Sequence, residues 1–124
     1  MSLELDITSN QASEKRISMT GSLDSNTAPQ LQEAIDNEID STIQAFVLNF
    51  RQLEFLSSAG LRVIFKAKKL MDSRDGKFLL VNLQPQIKKV FDIIKALDGM
   101  DVFRSEDEMD EYLTAMQNKI LDGE

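Results

Sequence analysis

The residues with the clearest chemical potential lie in one stretch, "FLSSAGLRVIF", Phe55 to Phe65, where Ser57 and Ser58 precede Gly60 at the head of an apolar, basic segment. Serine is a preferred helix N-cap, because its oxygen accepts a free N–H of the first turn. A hydroxyl can also serve as a nucleophile or accept a phosphoryl group. The chain has no histidine and no cysteine. That removes Ser-His-Asp chemistry, His-ligated zinc, thiolate metal sites, cysteine nucleophiles and disulfides. A lysine would have to activate any nucleophilic serine. Lys66 lies about two helical turns from Ser58, and Lys68 and Lys69 lie further along, outside hydrogen-bond reach. No Gly-rich run precedes a Lys-Ser or Lys-Thr pair, so a P-loop is absent. Neither enzyme activity nor a cofactor or metal is expected. Capping and modification remain open. A phosphoserine at a helix start would meet free amides and a favourable dipole, which spares the fold. A partner surface built around the unmodified hydroxyl would meet repulsion and desolvation instead.

The elements that must position these serines follow from apolar periodicity. Leu3, Leu5 and Ile7 alternate with polar residues, and Ile17 and Met19 do so again after "SNQASEK", predicting two strands joined by a polar turn. In "GSLDSNTAPQLQEAIDNEI", Thr27 can cap, Pro29 suits a first turn, and Leu31, Ala34, Ile35 and Ile39 form a stripe. "AFVLNF", Ala45 to Phe50, reads as a central strand covered on both faces, followed by a loop "RQLEFL". The segment opened by the serines is an amphipathic helix, with Val63, Ile64, Ala67 and Met71 on one face and Arg62, Lys66 and Lys69 on another. "KFLLV", Lys77 to Val81, is a further strand. A helix then starts at Pro85, carries Ile87, Val90, Phe91, Ile94 and Leu97, and stops at Gly99. "DVF" is a short last strand. Ser105 and Glu108 suggest a capping box for a helix bearing Met109, Leu113, Met116 and Ile120.

The order β-β-α-β-α-β-α-β-α requires parallel crossovers. The expected fold is α/β, a mostly parallel, mixed sheet of about five strands packed against about four helices, in one domain spanning residues 1–124. In such sheets, sites gather beyond the carboxyl ends of the strands. Two loops leave such ends, Asn49 to Ser58 and "GSLDSNT", and they are expected to converge. Gly21 would permit an unusual turn, and Asp24 would add a carboxylate or simply close that turn.

Net charge is −7, which disfavours a nucleic-acid partner. The N-terminus "MSLELDI" reads neither as a signal peptide nor as a membrane span, so a cytoplasmic protein without membrane insertion is expected. Basic residues cluster at Arg62, Lys66, Lys68, Lys69, Arg74 and Lys77. Acidic ones cluster at Glu106, Asp107, Glu108, Asp110, Glu111, Asp122 and Glu124. These are two solvated helix faces or a polarity used by a partner. Oligomeric state is not legible from sequence.

Taken in order, "GSLDSNTA", "FVLNFRQLEFLSSAGLRVI" and "LVNLQPQIKKVFDIIKALDGMDVF" resemble the STAS domain family, the fold of bacterial anti-sigma factor antagonists, over nearly the whole chain. The matching pieces are a Gly-x-Leu-Asp turn at Gly21 to Asp24, a strand carrying Leu-Asn at Leu48 and Asn49, and a Ser-x-Gly-Leu helix start. The best-known members carry Asp-Ser-Ser-Gly-Leu, in which the serine after the Asp is phosphorylated by an anti-sigma factor that is also a serine kinase. Registered on Gly60 and Leu61, Ser57 stands at the Asp, Ser58 at the phosphorylated serine and Ala59 at the second serine. The resemblance implies that Ser58 is the phosphorylation site, with Asp24 and Asn49 shaping its loop. Ser57, Gly60 and Arg62 complete the partner-binding set. It implies a binding module that, unmodified, engages the anti-sigma factor/serine kinase and frees a sigma factor. Phosphorylation would release that partner, and a PP2C-type phosphatase would reset the module. The alternative is a STAS module that is never phosphorylated and docks on a transporter ATPase or within a larger signalling assembly.

Overall fold

A computed structural model describes residues 2–93 and 101–121, with side chains at 2–92, 101–112 and 114. The nine elements occur in the expected order: β1 (Leu3–Thr8), β2 (Glu14–Leu23), α1 (Ala28–Glu38), β3 (Ala45–Leu56), α2 (Ser58–Ser73), β4 (Lys77–Val81), α3 (Pro85–Ile93), β5 (Asp101–Phe103) and α4 (Glu106–Leu121). They form a five-stranded sheet in the order β1-β2-β3-β4-β5. β1 pairs antiparallel with β2, and the remaining pairs are parallel. The expected positions Ile94 and Leu97, the stop at Gly99, and the side chains of Leu113, Met116 and Ile120 lie outside the described residues.

Strand alternation divides the sheet between two layers. Ile17 and Met19 of β2, Phe46, Leu48 and Phe50 of β3, and Phe78 and Leu80 of β4 share one cluster with the stripes of α1, α2 and α3. Right-handed crossovers in a sheet whose strands follow chain order put these three helices on one face. Phe91 of α3 meets Phe50 edge-on, at 6.0 Å between ring centroids. The intervening residues Val47, Leu79 and Val81 lie in a second cluster with Met109 of α4, where Phe103 and Tyr112 also pack. α4 therefore covers the opposite face.

Two boundaries differ from the sequence reading. "RQLEFL" is strand rather than loop, because β3 continues to Leu56 beside a β2 that itself runs past Thr20 to Leu23. Leu53 opposes Gly21, and Leu56 opposes Leu23, across register shifts at Ser18/Thr20 and Gly21/Ser22. This ribbon extends beyond Val81, where β4 ends opposite Asn49. Burial of Leu23, Leu53 and Leu56 in the helical-face cluster holds it. Gly21 is required here. Its φ is 108°, and a Cβ would stand 2.3 Å from the Ser2 carbonyl oxygen. The second difference concerns Thr27. It occupies the N-cap position of α1, yet its hydroxyl makes no cap bond. It donates instead to the Ser22 carbonyl at 2.8 Å and accepts from the Asp24 N–H at 2.9 Å, bracing the turn between β2 and α1.

Candidate functional site

The extended β2–β3 ribbon brings the start of α2 beside the turn that follows β2. The Ser57 N–H donates to the Leu23 carbonyl at 2.9 Å, so the start of α2 is tied to the residue preceding Asp24. Asp24 closes its own turn. Its carboxylate accepts the N–H groups of Asn26 and Thr27 at 2.9 and 3.0 Å, and its carbonyl accepts from Ala28 at 2.8 Å. Partial desolvation pushes the Asp24 pKa up, but the N–H groups of Thr27 and Asn26 outweigh it and hold the carboxyl below its ordinary value. Asp24 is thus a fixed anion that shapes the loop beside the serines.

The two serines have separate roles in the geometry. Ser57 is the N-cap of α2, with extended backbone, and its Oγ accepts the Gly60 N–H at 3.4 Å. Ser58 is the first helical residue and is exposed, and its hydroxyl makes no hydrogen bond among the described residues. Gly60 is needed for close approach. A Cβ there would lie 2.7 Å from Leu23 Cγ and 2.9 Å from Leu56 Cδ1, so the glycine lets α2 sit directly on the ribbon. Phe55, 44% exposed, adds an open apolar side chain just before the cap. Arg62, Lys66 and Lys69 are exposed along α2, while Lys68 pairs with Asp72 at 2.7 Å.

Asn49 does not join this loop, contrary to expectation. Strand alternation turns it away from Phe50 and toward α4, and β3 carries on to Leu56 before the serines begin. Its side-chain N–H donates to Glu106 at 2.7 Å, and its oxygen accepts from the Arg51 N–H and the Asn82 side chain, both at 3.0 Å. Sequence reasoning also missed Arg16. It is buried beneath α4, pairs with Glu14, bonds Asp110 at 2.8 Å and lies 3.6 Å from Glu106. Burial lowers the Arg16 pKa, but the bonds to Glu14 and Asp110 outweigh it, so the guanidinium stays charged. The one signal in the sequence was alternation, which puts Arg16 and Asn49 on the face opposite Ile17 and Phe50. Among the described residues no cluster of His, Cys, Asp and Glu could hold a metal ion, and no helix is long and apolar enough to cross a membrane.

Comparison with known proteins places this geometry. The STAS domain profile matches residues 8–109. The chain belongs to the STAS domain family. BtrV of Bordetella bronchiseptica, a candidate anti-sigma factor antagonist, is 32% identical over 75 residues, covering 60% of this chain and 65% of BtrV. An anti-sigma factor antagonist from Mycobacterium paratuberculosis shares the fold with TM-score 0.78 at 22% identity, covering 94% of this chain and 95% of that one. SpoIIAA, a Bacillus cell fate determinant, superposes in its phosphorylated form with TM-score 0.70 at 20% identity, covering 88% and 99%. Its unphosphorylated form gives 0.72 at 19%, covering 90% and 98%. The five-stranded mixed sheet with four helices is the STAS fold.

Proposed function

We propose that this chain is a regulatory binding module of the anti-sigma factor antagonist kind, acting in the cytoplasm as a single domain and switched by phosphorylation of Ser58. The observation that carries the proposal is the division of labour at the start of α2. Ser57 holds the cap, so the exposed Ser58 hydroxyl can be modified without removing a hydrogen bond among the described residues. The free amides and dipole of the first turn favour the added charge. That SpoIIAA keeps one fold in both its forms supports the same tolerance here.

The partner is an anti-sigma factor that is also an ATP-dependent serine kinase. It binds the unmodified module and thereby releases a sigma factor. In the transfer step Ser58 Oγ bonds to the γ-phosphorus of ATP as the bond to ADP breaks, and the hydroxyl proton passes to the kinase. The phosphate, about −1.5 to −2 charges at neutral pH, then sits in the contact surface beside Phe55 and expels the partner. Hydrolysis by a PP2C-type phosphatase restores the hydroxyl. The chain itself binds and is modified, without catalysing a reaction.

Intact mass spectrometry tests this directly. Incubation with ATP and the anti-sigma factor kinases encoded by the same genome should add one phosphate, and Ser58→Ala should abolish it. No modification by any of them, or modification that persists in Ser58→Ala, overturns the proposal.

A further inference from the structure

We propose that Arg62 is the internal counter-ion of phosphorylated Ser58, so that modification both adds an anion to the partner-facing surface and withdraws a cation from it. This rests on the reading that Ser58 accepts a phosphate. Ser58 and Arg62 are four residues apart on α2, and both are exposed. Side chains at that spacing are neighbours, and helical side chains lean toward the N-terminus, so Arg62 reaches back over the turn that Ser58 opens. An acid preceding a base by four residues is the favourable order. A guanidinium also matches phosphate oxygens in a two-pronged fork that a lysine cannot form.

Both groups are available for the contact. Among the described residues Arg62 makes no ion pair and Ser58 Oγ no hydrogen bond, so no contact between these residues is broken when the two meet. Lys68 is held by Asp72. Lys66 and Lys69 stand eight and eleven residues from Ser58, about two and three turns away. In the unmodified chain, Arg62, Lys66 and Lys69 form an exposed basic stripe on a protein of net charge −7, suited to an acidic partner surface. The phosphate takes the charge of that stripe from +3 to roughly +1. It also draws Arg62 back from the partner.

The pairing is read without a kinase, using full-length protein with phosphoserine inserted at position 58 during synthesis. Phosphorus-31 NMR follows the second phosphate ionisation, ordinarily near pKa ~6. Arg62→Gln should raise that pKa by about half a unit, close to threefold in proton affinity, and Arg62→Lys should fall in between. The fixed carboxylate of Asp24 and the exposed Glu54 on β3 are common to all three proteins, so the difference reports Arg62. The Arg62 Nε–H resonance should also shift between the unmodified and phosphorylated wild type. Identical titrations for wild type and Arg62→Gln overturn the proposal. Because the phosphate is supplied in synthesis, failure of a kinase to modify Ser58 bears on the proposed function alone, and identical titrations bear on Arg62 alone.

Discussion

Gly60 carries more of the site than its size suggests. It lies in the first turn of α2, and its missing Cβ is the space in which Leu23 and Leu56 sit. Overpacking at such a point costs about 1–3 kcal/mol. Alanine's better helix propensity returns at most ~1 kcal/mol. Gly60→Ala is therefore expected to lower the urea midpoint, and a midpoint raised above wild type would remove the close-packing account. The cap at Ser57 was legible from sequence, since serine before an apolar stripe has one dominant local use. The family register set Ser58 apart from Ser57, but its exposure was not legible until the structure placed it. Asn49 was misplaced because its partners, Asn82 and Glu106, are distant in sequence and no local pattern announces them.

Element order was readable because each helix shows a stripe and the inner strands show apolar runs, both local properties. Strand ends were not. In "RQLEFL" only Leu53 and Leu56 mark the continuation of β3, and what makes them strand is pairing with Gly21 and Leu23, a tertiary contact that overrides a polar-looking segment. The docking of α4 was hidden for the same reason. Beside the apolar contact of Met109, it rests on a polar clamp centred on Arg16, whose side chain is 8% exposed, with Glu14 at 5%. Glu106 and Asp110 are 48% exposed, so solvent screens their share. Asp110→Asn is accordingly expected to cost less than about 1 kcal/mol. Arg16→Met strands Glu14 as a buried charge and should cost about 3–5 kcal/mol, whereas adding Glu14→Leu should recover most of that loss. Denaturant midpoints of the two single variants and the double variant measure the coupling. Additive losses would mean that Arg16 and Glu14 are not an interdependent pair.

At the scale of the whole molecule, the question is whether a charge at Ser58 acts where it is placed or rearranges the fold. The sheet separates the two polar centres. Ser58, Asp24 and the α2 stripe lie on the helical side, and the Asn49–Glu106–Arg16 network lies under α4 on the other. Between them stand fully buried side chains such as Phe46, Leu48 and Phe50, and a close-packed interior of this kind resists continuous deformation. A ligand or modification shifts a conformational equilibrium only if two states respond to it differently. On the reading proposed above, a phosphate on Ser58 would act on local groups, the first-turn amides and, four residues on, Arg62. Ser58→Asp, which places one negative charge at the same point, should gain about 0.3–1 kcal/mol from the helix dipole. In a domain of this size that raises Tm by only a few degrees, about 1–5 °C. Its amide chemical-shift changes should be confined to residues around Leu23–Ala28 and Leu56–Arg62, while affinity for the anti-sigma factor falls. Large shifts at Arg16, Asn49 or Glu106, or a fall in Tm of comparable size, would show instead that the switch works by rearranging the sheet and α4. A local electrostatic change on a rigid scaffold predicts neither.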